Sequence, residues 1–265
     1  MNGPVVVGVD GTPSSLAAVE AAAREAERRG VGLELAHALV WSSGQVLPGV
    51  APWDPDGIGL RDRVNEALTD AEWRARKVAP QLAITREVLM GEPVSVLRSE
   101  ARAASLAVVG TRRVSGLRRL LHGSLAGQLT VHGSCPVLVV RGRLNRTGPV
   151  VLADVPTAAR EAAEFAFAEA SERGVDLVVL HHRHDRRSAD GSLFGLREKY
   201  PDVTVRSQSA RGRHHRAVAE ASVGAQLVVA GVRRGGTAAA LSAPDGRSIL
   251  RYAHCPVALV PSGKA

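Results

Sequence analysis

The sequence predicts an α/β protein made of two tandem, doubly wound, five-stranded sheets of mainly parallel strands. Short Val-rich runs alternate with longer stretches of helical periodicity, which is typical of such sheets. Marker residues of the first half recur in the same order in the second half. The pairs are Gly3/Gly148, Asp10/Asp154, Gly30/Gly174, His37/His181, Gly91/Gly212, Gly110/Gly231 and Cys135/Cys255. A chain of 265 residues with 45% hydrophobic and 23% charged residues has room for two such cores.

The first copy shows the alternation element by element. Val5 to Val9 is continuously apolar and β-branched, as expected of a strand buried on both faces. Thr12 or Ser14 can cap a helix that continues through Arg29 and stops at Gly30. Further strands are predicted at 33–39, 83–89, 106–109 and 136–140, and further helices at 61–78, 93–104 and 124–132. Strand–helix alternation implies right-handed crossovers and a parallel sheet.

The repeat predicts two domains, residues 1–142 and 148–265, of which the second is shorter in its middle. Each copy ends with Cys-Pro followed by an apolar run, at Cys135–Val140 and Cys255–Val260. The matching context indicates small buried residues, and two cysteines cannot form a disulfide framework or a four-cysteine zinc site. The cluster from His181 to Asp185 could supply two zinc ligands, but it lies in an Arg-rich loop and no metal site is predicted.

Charge and hydropathy limit the classes of partner. The formal net charge of +8 comes almost entirely from arginine and suits anionic ligands, although coding bias explains it nearly as well. Aromatic residues make up 3%, too few for the stacking platforms of nucleic-acid binders, so nucleic acid is not an expected partner. No apolar run reaches the roughly 18 residues of a membrane helix, and the first residues do not resemble a secretory signal. We therefore expect a cytoplasmic protein.

The carboxyl ends of the strands are where a ligand is expected. In doubly wound sheets ligands bind at the point where strand order reverses, here after Val9, Ala38 and Val109. An Arg-rich stretch containing Gly110 leaves the fourth strand, and Gly123-Ser124 opens the next helix. Glycines and helix N-termini suit phosphate binding, but they are equally common as turn and cap residues. The residues by themselves leave both interpretations open.

Five segments of the first copy form a recognisable set: Val7–Pro13, Val88–Pro93, Val108–Arg112, Leu120–Ser124 and Ser134–Val140. Together they resemble the universal stress protein family in its tandem-domain form. The resemblance implies a flavodoxin-like, or adenine-nucleotide α-hydrolase-like, sheet that binds ATP, with Mg²⁺ as a candidate counter-ion. It implies that Asp10 faces the adenosine, which Val9, Ala38 and Val109 line. It also implies that Gly110, Gly123, Ser124 and Leu125 hold the ribose and phosphates.

The chain departs from the family's ATP motif, which is Gly, two residues, Gly, nine residues, then Gly-Ser or Gly-Thr. Gly110, Gly123 and Ser124 match, but Arg113 stands where the motif has its middle glycine. Arg113 can block the phosphates, turn outward, or reach back to them as a charged donor. For Asp10 the alternative is a helix cap after Gly11.

The second copy departs further. Asp154 and Gly231 persist, but Ala243-Pro244 replaces Gly-Ser, and Asp245 would repel phosphate. We therefore expect no ATP binding there. By the family resemblance, the last strands pair across a pseudo-two-fold as an intramolecular dimer; further homodimerisation stays open.

Two functions remain at this point. One is a nucleotide-responsive stress protein, and the other is a stress scaffold that no longer binds nucleotide. The sequence contains no P-loop, no dinucleotide fingerprint and no nucleophile elbow, and no general base stands out beside the Gly-rich loop. No catalytic residue is predicted, so any ATP hydrolysis should be slow or absent.

Overall fold

The structure, a computed structural model, divides the chain into two compact units, Met1–Arg113 and Val114–Ala265. It describes residues 3–40, 58–111, 125–132, 134–142, 147–153, 160–181, 186–209, 214–233 and 249–262. In this part of the chain no helix combines the length and the apolar character that crossing a bilayer requires.

The first unit is a parallel sheet with helices in the connections. Its elements are β1 (Val5–Gly8), α1 (Pro13–Arg29), β2 (Leu33–Leu39), α2 (Ile58–Val78), β3 (Ile84–Met90), α3 (Pro93–Glu100) and β4 (Leu106–Gly110). The strand order is β3-β2-β1-β4, and every pair is parallel. β1 is therefore central, and its valines are buried as the apolar run predicted. The α/β fold class is confirmed.

Local sequence signals determine where α1 begins and ends. The Thr12 side chain accepts a hydrogen bond from the Ser15 N–H, and Pro13 occupies the first turn, where a missing N–H costs nothing. Gly30 ends the helix with φ 62°, a left-handed conformation that favours glycine. The stop at Gly30 was predicted from the sequence, and of the two predicted cap residues, Thr12 and Ser14, the structure has Thr12 as the cap.

One helix is shorter than predicted. α3 was expected to reach residue 104 but ends at Glu100, and residues 101–103 form turns. The chain must enter β4 alongside β1, and Ser105 N–H donates to the Pro4 carbonyl at 3.0 Å. That tertiary contact ends the helix where the local pattern would have continued it.

The second unit contains one antiparallel strand beside five parallel ones. Its elements are α4 (Leu125–His132), β5 (Val137–Val140), β6 (Val150–Ala153), α5 (Arg160–Arg173), β7 (Leu177–His181), α6 (Arg186–Lys199), β8 (Val205–Ser209), α7 (His214–Ser222), β9 (Leu227–Arg233) and β10 (Val257–Ser262). The order is β5-β10-β9-β6-β7-β8. β5 and β10, the last strands of the two sequence repeats, pair antiparallel with Ala258 opposite Leu138. The expected pairing of these strands is present, and it covers an apolar edge on each.

Equivalent positions of the two repeats adopt the same local structure. Gly30 and Gly174 both have φ 62°. Gln226 N–H donates to the Pro149 carbonyl at 3.0 Å, matching the contact between Ser105 and Pro4. The compact units do not divide the chain where the repeat does, because β5 and its partner β10 fall in the same unit. The domain limits at 142 and 148 stay a prediction.

Candidate functional site

The carboxyl end of β1 opens between its two neighbours. The β1–β2 ladder ends at Gly8↔Ala36, and the β1–β4 pairing extends only to Val7↔Val108. β2 continues to Leu39 and β4 to Gly110. The chain that leaves β1 therefore lies between two longer strands, at the switch point of the sheet. The residues that this edge brings together are Val9, Asp10, Ala38, Val109 and Gly110, all predicted from the sequence.

Asp10 is exposed and organises the start of α1. Its Oδ1 accepts hydrogen bonds from Thr12 N–H at 3.0 Å and from Thr12 Oγ1 at 2.6 Å. Its own N–H donates to Ser15 Oγ at 3.3 Å. Thr12 is the helix cap, so Asp10 supports the cap from the preceding turn instead of acting as the cap itself. The carboxylate lies at the positive end of the α1 dipole, which stabilises its charge.

Gly110 has a packing role of its own. A Cβ at this position would overlap the backbone carbonyl of Ser14 in the first turn of α1. Only glycine allows the end of β4 to approach α1 so closely. The structural interpretation of this residue therefore holds whether or not phosphate binds nearby.

His37 forms a contact in the site that the sequence did not reveal. Its Nδ1 lies 2.9 Å from the carbonyl oxygen of Val9. Because a carbonyl oxygen can only accept, Nδ1 must carry the hydrogen. The recurrence of His37 as His181 at the end of the equivalent strand was the available signal, and His181 is buried.

The backbone of Ala38 is directed toward the same opening. Ala36 accepts a hydrogen bond from Val9 N–H at 2.9 Å across the β1–β2 ladder. Ala38 lies two residues farther along β2, so its N–H and C=O point to the β1 side as well. They extend past the last β1–β2 pair and offer a donor and an acceptor side by side.

The remaining predicted positions lie mostly outside the described residues. These are Arg113, Gly123 and Ser124 in the first copy, and Asp154, Ala243, Pro244 and Asp245 in the second. Leu125 is the first residue of α4, in the second unit. The second-copy glycine, Gly231, lies within β9 and pairs with Val260, whereas its counterpart Gly110 ends β4.

Metal and thiol chemistry find no support among the described residues. They include no group of three His, Cys, Asp or Glu side chains arranged to hold a metal ion; residues 182–185 lie outside them. Cys135 and Cys255 are both buried and unbridged. Burial raises the pKa of the Cys255 thiol to about 12, with Arg141 partly opposing the shift. A neutral, buried thiol is a poor nucleophile.

The chain resembles known proteins in both sequence and fold. The model of the universal stress protein family matches residues 1–141. A universal stress protein of Mycobacterium tuberculosis is 30% identical over 96% of this chain and 94% of its own length. The crystal structure of a universal stress protein from Archaeoglobus fulgidus has a TM-score of 0.76 at 16% identity, covering 100% of this chain and 98% of that one.

A further universal stress protein has been solved in complex with cAMP. It covers 52% of this chain and 96% of its own, at 27% identity and a TM-score of 0.42. The family match, the full-length relative and the parallel α/β architecture together show that this chain belongs to the universal stress protein family.

Proposed function

We propose that the N-terminal copy binds ATP at the carboxyl ends of β1, β2 and β4, and that the chain is a nucleotide-responsive regulator of the stress response. The C-terminal copy is then a non-binding structural partner. The observation that carries the proposal is that an exposed carboxylate, Asp10, and the outward-directed backbone of Ala38 lie at one opening of the sheet.

The adenosine half of the ligand fits these groups. A carboxylate accepts hydrogen bonds, and the hydroxyls of a ribose donate them, as they do to acidic residues of other nucleotide sites. An N–H beside a C=O complements adenine, which presents a ring-nitrogen acceptor beside an amino donor. Guanine presents two acceptors in the corresponding place, so ATP should bind more tightly than GTP.

The phosphate half of the proposal depends on the family motif. Gly123 and Ser124 precede α4, whose first residue is Leu125, and backbone N–H groups at a helix start suit phosphate. Mg²⁺ would accompany the phosphates, since it is usually held through them and a few carboxylates.

The second copy offers a poorer site. In the strand pair equivalent to β1–β4, Leu152↔Val229 corresponds to Val7↔Val108, the last pair of the first copy. The β6–β9 pairing continues one pair farther, to Ala153↔Ala230, so the second copy opens less at this position. Pro244 also lacks the backbone N–H that Ser124 would offer to a phosphate.

A second candidate function is a stress scaffold that has lost nucleotide binding. Two observations favour it: Arg113 replaces a motif glycine, and packing against Ser14 alone accounts for Gly110. Under this alternative the same opening exists but takes no nucleotide.

Calorimetric titration with ATP and GTP distinguishes the two functions. The proposal expects ATP to bind, Asp10→Asn to weaken binding about tenfold, and Glu27→Gln, at an exposed position in the last turn of α1, to leave it unchanged. Asn keeps an oxygen acceptor for Thr12, so the fold is preserved in the Asp10 variant. Arg113→Gly should strengthen binding, and Ser124→Ala should weaken it about fivefold. Absence of ATP binding in both the parent and the Arg113→Gly protein would favour the scaffold.

A further inference from the structure

We propose that His37 is a positioning residue of the nucleotide site, which holds the Val9–Asp10 peptide so that the Asp10 carboxylate is oriented before ligand arrives. The inference rests on the proposed function for its consequence in binding. The two hydrogen bonds that hold this peptide, one from His37 and one to Ser15, are here called the clamp. The clamp is present in the chain without ligand and can be measured separately from binding.

The peptide that joins Val9 to Asp10 is held at both of its polar atoms. Its carbonyl oxygen accepts from His37 Nδ1 at 2.9 Å, and its N–H donates to Ser15 Oγ at 3.3 Å. Ser15 Oγ in turn donates to the Thr12 carbonyl at 3.0 Å, so its hydrogen is committed and it accepts from Asp10. One contact comes from β2 and the other from α1, which fixes the plane of this peptide across the opening.

The backbone needs such a clamp at this point. Strand pairing on both sides of β1 has ended before Asp10. Along this strand, the backbone hydrogen bonds to β2 end with the one that Val9 N–H donates to the Ala36 carbonyl. Gly11 follows with φ 75°, a left-handed conformation that glycine adopts without strain and that turns the chain away from the strand. His37 supplies with a side chain the hydrogen bond that the next rung of the ladder would have supplied. Orienting the carboxylate in advance lowers the entropy lost on binding.

The chemistry of the contact selects the test variants. Only a donor at the position of Nδ1 can replace His37, because Val9 offers a carbonyl. The amide nitrogen of asparagine is as many bonds from the backbone as Nδ1 of histidine. The amide nitrogen of glutamine is one bond farther out, as Nε2 is. His37→Asn therefore retains the clamp, and His37→Gln and His37→Phe remove it. His181→Asn, at the matching position of the second copy, is the control.

Two measurements test the inference, and the first needs no ligand. In hydrogen exchange by NMR, the Asp10 amide of His37→Gln and His37→Phe should exchange at least fivefold faster than in the parent or in His37→Asn. In addition, ¹⁵N spectra of the parent should show Nδ1 of His37 protonated. Unchanged Asp10 exchange in His37→Phe would overturn the inference.

The second measurement is calorimetric titration with ATP. We expect His37→Asn and His181→Asn to bind within twofold of the parent, and His37→Gln and His37→Phe to bind about fivefold more weakly. Parent-like affinity in His37→Phe, or equal loss in His37→Asn and His37→Phe, would refute a positioning role. If the parent itself does not bind ATP, the proposed function fails, and Asp10 exchange alone decides whether the clamp exists.

Discussion

Glu34 makes the stability of the first unit depend on pH near neutrality. It lies on β2, with Glu100 at the end of α3 and Glu87 on β3 as its acidic neighbours. Burial, then the charges of Glu100 and Glu87, and a hydrogen bond with Glu100 raise the pKa of Glu34 from its ordinary 4.5 to about 7. Protonation lets one carboxyl donate to the other and removes a repulsion.

The direction of the effect follows from proton linkage. Between pH 4.5 and about 7 the folded protein retains a proton that the unfolded chain has lost. The free energy of unfolding therefore falls as the pH rises through this window, and below it the contribution is fully present. Because Glu34 is only half-buried, solvent screening reduces the effect, and we expect a loss of roughly 1 to 2 kcal/mol.

The substitution Glu34→Gln removes the titrating group and keeps its shape. The free energy of unfolding, measured with urea at a series of pH values from 4.5 to 8, should depend less on pH in the variant than in the parent. The variant should therefore become increasingly more stable than the parent as the pH rises. Glu27→Gln, an exposed glutamate near the end of α1, is the matched control and should run parallel to the parent. Parallel profiles for Glu34→Gln and the parent would refute the reasoning.

Three further substitutions should lower the free energy of unfolding, each measurable by urea unfolding. Gly110→Ala forces a Cβ against the Ser14 carbonyl and should cost about 1 to 3 kcal/mol; parent-like stability would mean that the close approach is not required. Thr12→Ala removes the α1 cap and should cost about 1 kcal/mol, with Thr12→Ser largely restoring it. Arg173→Ala removes the 2.7 Å ion pair to Glu169, which is 2% exposed, and should cost about 2 kcal/mol; parent-like stability would mean that this ion pair contributes little.

The elements that depend on local pattern were predictable. β2 matches its prediction at both ends, and the α1 boundaries follow from Thr12 and Gly30, because caps and apolar periodicity act within a few residues. The end of α3 was not predictable, since the contact between Ser105 and Pro4 that determines it joins distant parts of the chain.

In the candidate site, too, the sequence predicts the positions that topology determines but not the contacts between side chains and distant backbone. Parallel topology alone brings the ends of β1, β2 and β4 together, so Val9, Asp10 and Ala38 could be predicted without coordinates. The contact between His37 and Val9 depends on strand register and a side-chain rotamer, which sequence periodicity does not specify. For Gly110, close packing and ligand approach both require the absence of a Cβ, so the sequence could not separate the two reasons.

The position of the ligand is the central claim, and an NMR titration of the ¹⁵N-labelled protein with ATP tests it most directly. We predict saturable shifts of the amides of Val9, Asp10 and Ala38, while Ala153 and Ala230, at the matching strand ends of the second copy, stay in place. Shifts confined to the second copy, or no saturable shift at Asp10 and Ala38, would contradict the account.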